Sequence, residues 1–138
     1  MATRKNEFLE PRVAVADFTA AATMSAAQSC PSGVWIPGGA IVTGVTYLYT
    51  TARTVVGNSA TARLNVHNTA LSSSIALVSS LNLSALPALT VPYVASLVSA
   101  AGMYVAVPGE LVWTIGADAA GNSVGTSVVP SVLVGYIV

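Results

Sequence analysis

One histidine, one cysteine and five carboxylates are all that this 138-residue sequence offers for proton transfer, nucleophilic attack or metal ligation. His67 closes the run Thr61-Ala62-Arg63-Leu64-Asn65-Val66-His67, whose alternation predicts a strand with Ala62, Leu64 and Val66 inward and Thr61, Arg63, Asn65 and His67 outward. A zinc site or a general base needs partners of the right type around the imidazole, and the neighbours here are Asn65 and Arg63. Cys30 would need a base to become a nucleophile, and His67 is the sole candidate; a structural thiol in a turn is the simpler reading. Glu110 and Asp118 are separated by a predicted strand and a loop, no pair of acids has an evident common face, and carboxylates are too scarce for a dedicated calcium site. The expectation is a protein that is not an enzyme, with no catalytic, metal-ligating or cofactor-binding residues and no cofactor. Trp35, Trp113, Tyr47 and Tyr49 could stack sugar rings, but their apolar strand context favours core packing.

The elements that carry these residues are organised around Val34 to Ala52, VWIPGGAIVTGVTYLYTTA. A short apolar entry meets Pro37-Gly38-Gly39, a turn, and a long β-branched and aromatic run follows. Period-two counting places Ile41, Val45, Tyr47 and Tyr49 on one face, opposite Val42, Gly44, Thr46, Leu48 and Thr50. Upstream, Val13 to Met24 reads as a strand, and Gln28 to Gly33, with Cys30-Pro31-Ser32-Gly33, as a turn. Downstream, Gly57-Asn58-Ser59 is a turn, and Leu71 to Ala101 holds two or three short strands. The end of that segment also fits a short helix, with Pro92 at its first position, Tyr93 and Leu97 one turn apart, and Gly102 just past it. Met103 to Gly116 reads as a hairpin about Pro108-Gly109, and Ala117 to Thr126 as a loop. Ser127 to Val138 is a final strand, with Val132, Val134, Tyr136 and Val138 on one face and Leu133 and Ile137 on the other. Two apolar faces imply a central strand, or a face covered by a partner.

Hydrophobic residues make up 54% of the chain and charged residues 7%, against about a quarter charged in ordinary domains. Arg4, Lys5, Glu7, Glu10, Arg12 and Asp17 crowd the start, leaving only Arg53, Arg63, Glu110 and Asp118 for the remainder. A lone domain usually intersperses its charges and keeps its net charge away from zero. This chain has a formal net charge of +0, which implies that other subunits cover much of its surface. Basic residues this sparse cannot form the patch that phosphates require, so no direct nucleic-acid contact is expected. The uncharged stretch from Leu64 to Gly109 is broken by Ser, Thr, Asn and Pro, which argues against a membrane span. Glu7, Glu10 and Asp17 interrupt any signal-peptide core. The length suits one domain. The expected architecture is all-β, a single β-sandwich of jelly-roll type over residues 13–138, preceded by an extended N-terminal arm over residues 1–12. A frayed terminus is the alternative reading of those first residues.

From Ile36-Pro37-Gly38-Gly39-Ala40-Ile41-Val42-Thr43-Gly44-Val45 into the Thr/Tyr-rich strand, and again at the closing Tyr136-Ile137, the chain resembles small structural proteins of tailed-phage virions, most of all capsid cement or decoration proteins. That resemblance implies a β-sandwich, commonly a homotrimer, seated on the outer surface of the capsid over junctions of the major capsid protein lattice, stabilising the head against DNA pressure. It brings no catalytic residues. Arg4, Lys5, Phe8, Leu9 and Arg12 in the arm are the expected contacts to capsid subunits or neighbouring protomers. A tail or head-fibre component, and a secreted carbohydrate-binding or adhesin-like sandwich, are the alternatives.

Overall fold

The computed structural model describes residues 10–18, 23–24, 29–49, 54–55, 61–78, 81–82, 92–99, 102–116, 125–126 and 130–138. These residues form only strands, turns and bends: β1 (Pro11–Asp17), β2 (Thr23–Met24), β3 (Ser29–Ile36), β4 (Ala40–Leu48), β5 (Thr54–Val55), β6 (Thr61–Asn68), β7 (Ser73–Ala76), β8 (Leu81–Asn82), β9 (Tyr93–Ala95), β10 (Met103–Val105), β11 (Gly109–Gly116), β12 (Gly125–Thr126) and β13 (Ser131–Ile137). One antiparallel sheet runs β1-β13-β4, with β9 and β10 end to end along the far edge of β4. The second runs β3-β11-β6, with β7 and β8 along the far edge of β6. The two sheets pack face to face as a β-sandwich. Leaving aside the small β2-β12-β5 sheet and counting each end-to-end pair as one position, strands one, eight, three and six form one layer, and two, seven, four and five form the other.

Alternation drives this layering. Ala14 and Ala16 of β1, Val132 and Val134 of β13, and Ala62, Leu64 and Val66 of β6 all point between the sheets and are buried. Trp113 of β11 is completely buried and meets the Tyr47 ring edge-on, with centroids 5.1 Å apart. Phe18 and Tyr93 extend the aromatic cluster, Phe18 beside Trp113 and Tyr93 stacked on Tyr47. β13 is the central strand of its sheet, paired to β1 on one side and to β4 on the other; its inner face packs in the core, while its apolar outer face, with Leu133 38% exposed, has no layer over it among the described residues.

Two irregularities correct the sequence reading. In β4, Gly44 pairs with Gly135 and Val42 with Tyr136, so Thr43 is an extra residue without an opposite number. This bulge inverts the parity: Ala40 and Val42 are buried before it, and Val45, Tyr47 and Tyr49 after it. Ile41, assigned by simple counting to the face of Tyr47, turns outward instead. In the second case the segment read as a turn at Gln28 to Gly33 is, from Ser29 onward, strand β3. Pro31 is tolerated because β3 is an edge strand, bonded to β11 alone. Ser32, Gly33 and Val34 bulge against Leu111, with Gly33 at φ 74°. The Ser32 hydroxyl donates to the Leu111 carbonyl at 2.7 Å and accepts from the Val34 N–H at 3.0 Å, while the Glu110 carboxylate accepts from the Gly33 N–H. Side chains thus replace the ladder bonds that the bulge removes.

The expected hairpin over Met103 to Gly116 does not exist. β10 pairs with β4, and β11 pairs with β3 and β6, so Ala106 to Pro108 carries the chain from one sheet to the other. A Pro-Gly step suits such a crossing because it does not form the turn types that match hairpin twist. Gly109 is required there: a Cβ would lie 2.6 Å from Val66 Cγ1 and 3.0 Å from the His67 carbonyl oxygen. Asn68 fastens the crossing, its Nδ2 donating to the Pro108 carbonyl at 2.6 Å and its Oδ1 accepting from the Leu71 N–H at 3.1 Å. The helix considered after Pro92 is likewise overturned, since Tyr93–Ala95 is β9, paired with Val45 to Tyr47. There, sheet pairing and the ring stack on Tyr47 outweigh the local helix signals. β12 pairs with both β2 and β5, hydrogen-bonding three of the chain's crossings between the large sheets to one another.

The strand read at Val13 to Met24 starts earlier, at Pro11, and is described as β1 and β2. Glu10 exchanges backbone bonds with Val138 at 3.0 and 3.2 Å, so the last residues of the segment read as an arm lie in the sheet. Gly57-Asn58-Ser59 and most of the loop at Ala117 to Thr126 lie outside the described residues.

Candidate interaction surfaces

The candidates for chemistry are dispersed by the fold. Cys30 pairs with Trp113, whose side chain points inward, whereas His67 pairs with Glu110, whose side chain points outward. Thiol and imidazole therefore stand on opposite faces of one sheet. Partial burial pushes the Cys30 thiol above its ordinary pKa, which further disfavours the nucleophilic thiolate. His67 is exposed, and the carboxylate of Glu110, its partner across the strands, accepts the hydrogen bond that caps the β3 bulge. Among the described residues no group of three or more His, Cys, Asp or Glu is placed to hold a metal ion. Asp118 lies outside them. Contrary to the expectation that no serine lies in a G-x-S-x-G spacing, Gly121-Asn122-Ser123-Val124-Gly125 has it. That motif works as a strand-to-helix elbow; here Gly125 begins a short strand, and Ser123 lies outside the described residues.

Of the four aromatic residues weighed as a sugar platform, Trp113, Tyr47 and Tyr49 are core, as expected. The Tyr47 phenol is pushed well above its ordinary pKa by burial, and among the described residues neither its hydroxyl nor the Trp113 indole N–H has a hydrogen-bond partner. Trp35 is the exception, 54% exposed on the outer face of β3. Of the expected arm contacts, Arg4, Lys5, Phe8 and Leu9 lie outside the described residues. Arg12 sits in β1 opposite Tyr136, with its guanidinium 2.8 Å from the Glu10 carboxylate, which raises its pKa further. Both side chains are solvated, so the pair adds little stability.

The two outward faces differ in kind. On the β1-β13-β4 sheet the register aligns Val15, Leu133, Thr46 and Val94 in one row, and Pro11, Ile137, Ile41 and Tyr104 in another. Between them Gly135 and Gly44 leave a shallow floor beside Val13. Val13, Val15, Val94, Tyr104 and Leu133 are exposed, and among the described residues Asp17 is the one charged side chain directed outward from these strands. On the β3-β11-β6-β7 sheet the rows are Trp35, Glu110, His67, Ser74 and Pro31, Val112, Asn65, Ala76, followed by Ser29, Thr114 and Arg63. The Ser29 and Thr114 hydroxyls lie 3.2 Å apart. Contiguous apolar patches on a monomer's surface mark sites of association, and the first face has that character.

Compared with known proteins, the chain matches no family model, no curated protein and no solved structure.

Proposed function

We propose that this chain is a non-enzymatic structural subunit of a phage virion, a cement or decoration protein bound to the outside of the major capsid protein lattice. The strand order one-eight-three-six over two-seven-four-five is read as a jelly roll. The observation that carries the functional reading is the apolar outer face of the β1-β13-β4 sheet, with five exposed large hydrophobics and one outward charge among its described residues. It accords with the charge poverty of the sequence and with the resemblance at Ile36 to Val45.

Magnitudes decide how such a face works. Covering five half-exposed side chains is worth roughly 5 kcal/mol at about 25 cal/mol per Å², whereas association costs about 4–15 kcal/mol of lost freedom. One isolated contact of this kind is marginal. A lattice that repeats it, or a homotrimer that joins three copies before docking, converts marginal contacts into durable occupancy through effective concentration. An arm carrying Arg4, Lys5, Phe8 and Leu9 adds a second contact per subunit in the same scheme.

The test is deletion of residues 1–9, which leaves β1 and the Glu10–Val138 bonds in place, and, separately, conversion of the apolar face to a charged one, followed by measurement of occupancy on purified capsids. Reduced occupancy in both is expected. Undiminished occupancy after the deletion removes the arm from the scheme, and a wild-type chain that is a soluble monomer without affinity for capsids removes the scheme itself.

A further inference from the structure

We propose that the outer face of the β3-β11-β6-β7 sheet is a carbohydrate-binding site, with Trp35 as its stacking platform and Asn65, His67, Ser29 and Thr114 as its hydrogen-bonding floor. Ser29, Asn65, His67, Val112 and Thr114 line a depression of about 310 Å³ across β3, β11 and β6. That volume lies at the lower end of the range for small-ligand sites, about 300–1,000 Å³. Asn65 Oδ1 is buried there and has no hydrogen-bond partner among the described residues, an uncommon condition for a buried acceptor and one that a small rotation of the amide toward a ligand hydroxyl relieves. The cross-strand register puts Trp35 in one row with Glu110 and His67, on the same side of the sheet as the depression. Trp35, 54% exposed, stands at the end of that row, across Glu110 from His67 and outside the lining of the depression, so a ligand that spans both meets one apolar and one hydrogen-bonding component.

The chemistry selects among ligand classes. Asn65, His67, Val112 and Thr114 stand on β6 and β11, interior strands each paired on both sides, so a ligand seated over them meets no free backbone edge; the edge strand β3 contributes Ser29 alone to the lining. Recognition must come from side chains. Arg63 and Glu110 are the charged residues directed outward from the described strands of this face, and they have opposite signs, so the face does not select an anion such as a phosphate. A neutral pyranose presents an apolar C–H face and a rim of hydroxyls that both donate and accept. Trp35 and Val112 meet the first; the Asn65 amide, the Ser29 and Thr114 hydroxyls and the His67 imidazole meet the second. This site and the face proposed to meet the capsid are on opposite sides of the sandwich, so either can fail without the other.

The experiment applies the fluorescently labelled full chain to a glycan array, then titrates it with cellotetraose, maltotetraose and chitotriose while following tryptophan fluorescence and amide NMR shifts. Saturable binding to at least one glycan is expected, with shifts centred on Asn65, His67 and Thr114. Trp35→Ala should weaken it by about tenfold or more while the circular dichroism spectrum stays that of the parent. Asn65→Ala should weaken it as well, and Asn65→Asp provides a second variant of the same shape should the alanine form fold poorly. Absence of saturable binding to every glycan tested, or binding that survives Trp35→Ala unchanged, overturns the proposal.

Discussion

Across the β1-β13-β4 sheet the outward row reads Val15, Leu133, Thr46, Val94; across the other sheet it reads Trp35, Glu110, His67, Ser74. Both sheets send the same kinds of residue inward, to a common core built on Trp113, Tyr47, Leu64 and Val134. The difference lies wholly in the outward set, which the core does not constrain. A strand with apolar residues on both faces is stable only when both are covered, or when the uncovered one has a use. The inner side of β13 is covered by the core, and its outer side, with Leu133 and Ile137, is the one proposed to meet a partner. The outer face of the other sheet is mixed and polar, with a depression and the exposed Trp35 that the carbohydrate proposal rests on.

The largest expected effect breaks the comparison at the apolar face. Val15→Asp combined with Leu133→Asp places two charges in the row proposed to meet the capsid; burying them unpaired costs several kcal/mol, so association with capsids should fall by about a hundredfold or more. Because both positions are exposed, folding stability should change by only about 0.5 kcal/mol per site. Co-sedimentation with capsids and thermal melting measure the two quantities. The matching pair on the other face, Ser74→Asp with Thr114→Asp, should leave co-sedimentation unchanged; if it abolishes binding instead, the faces have been assigned the wrong way round.

The two tryptophans sharpen the same contrast. Trp113→Ala removes the centre of the core and should cost about 3–5 kcal/mol, whereas Trp35→Ala should fall within about 0.5 kcal/mol, both read from urea denaturation. Next in size is Gly109→Ala, whose Cβ would press on Val66 and the His67 backbone where β11 starts over β6. About 1–3 kcal/mol of destabilisation is expected, with NMR shifts concentrated on the polar sheet. Smallest is Tyr47→Phe. It deletes a buried hydroxyl that has no partner among the described residues and should stabilise the fold by up to about 1 kcal/mol in the same denaturation assay.

Much of the architecture was legible in residue patterns. The alternation at Thr61 to His67 named the inward trio Ala62, Leu64 and Val66, and the double apolarity of Ser127 to Val138 left a central strand or a partner-covered face open; the strand runs over Ser131–Ile137 and is central in its sheet. The turn at Pro37-Gly38-Gly39 stands where its residue types place it. Legibility stopped wherever one residue changed the count. Thr43 bears no mark of a bulge in its own sequence, yet it inverts the facing of Ile41 and Val42. Pro31 reads as a breaker until it is known to sit on a sheet edge. The outward placement of Arg63, Asn65 and His67 could be read from the alternation, but their company could not: Trp35 and Glu110 join them only through pairing across β11. A useful signal for Trp35 was its position directly before Ile36 and the turn, which in a strand of alternating burial makes it outward whenever Ile36 is inward.

What the sequence determined by itself is the alternation of each strand and the shortage of charge, because both depend on residue type and on the two-residue repeat of an extended backbone. Tertiary structure alone decided which strands are neighbours, where the registers slip, and therefore which outward residues stand together. Those outcomes are set by contacts between segments dozens of residues apart, as when Met103 to Val105 pairs with β4 rather than with the strand that follows it, and no local pattern encodes the partner.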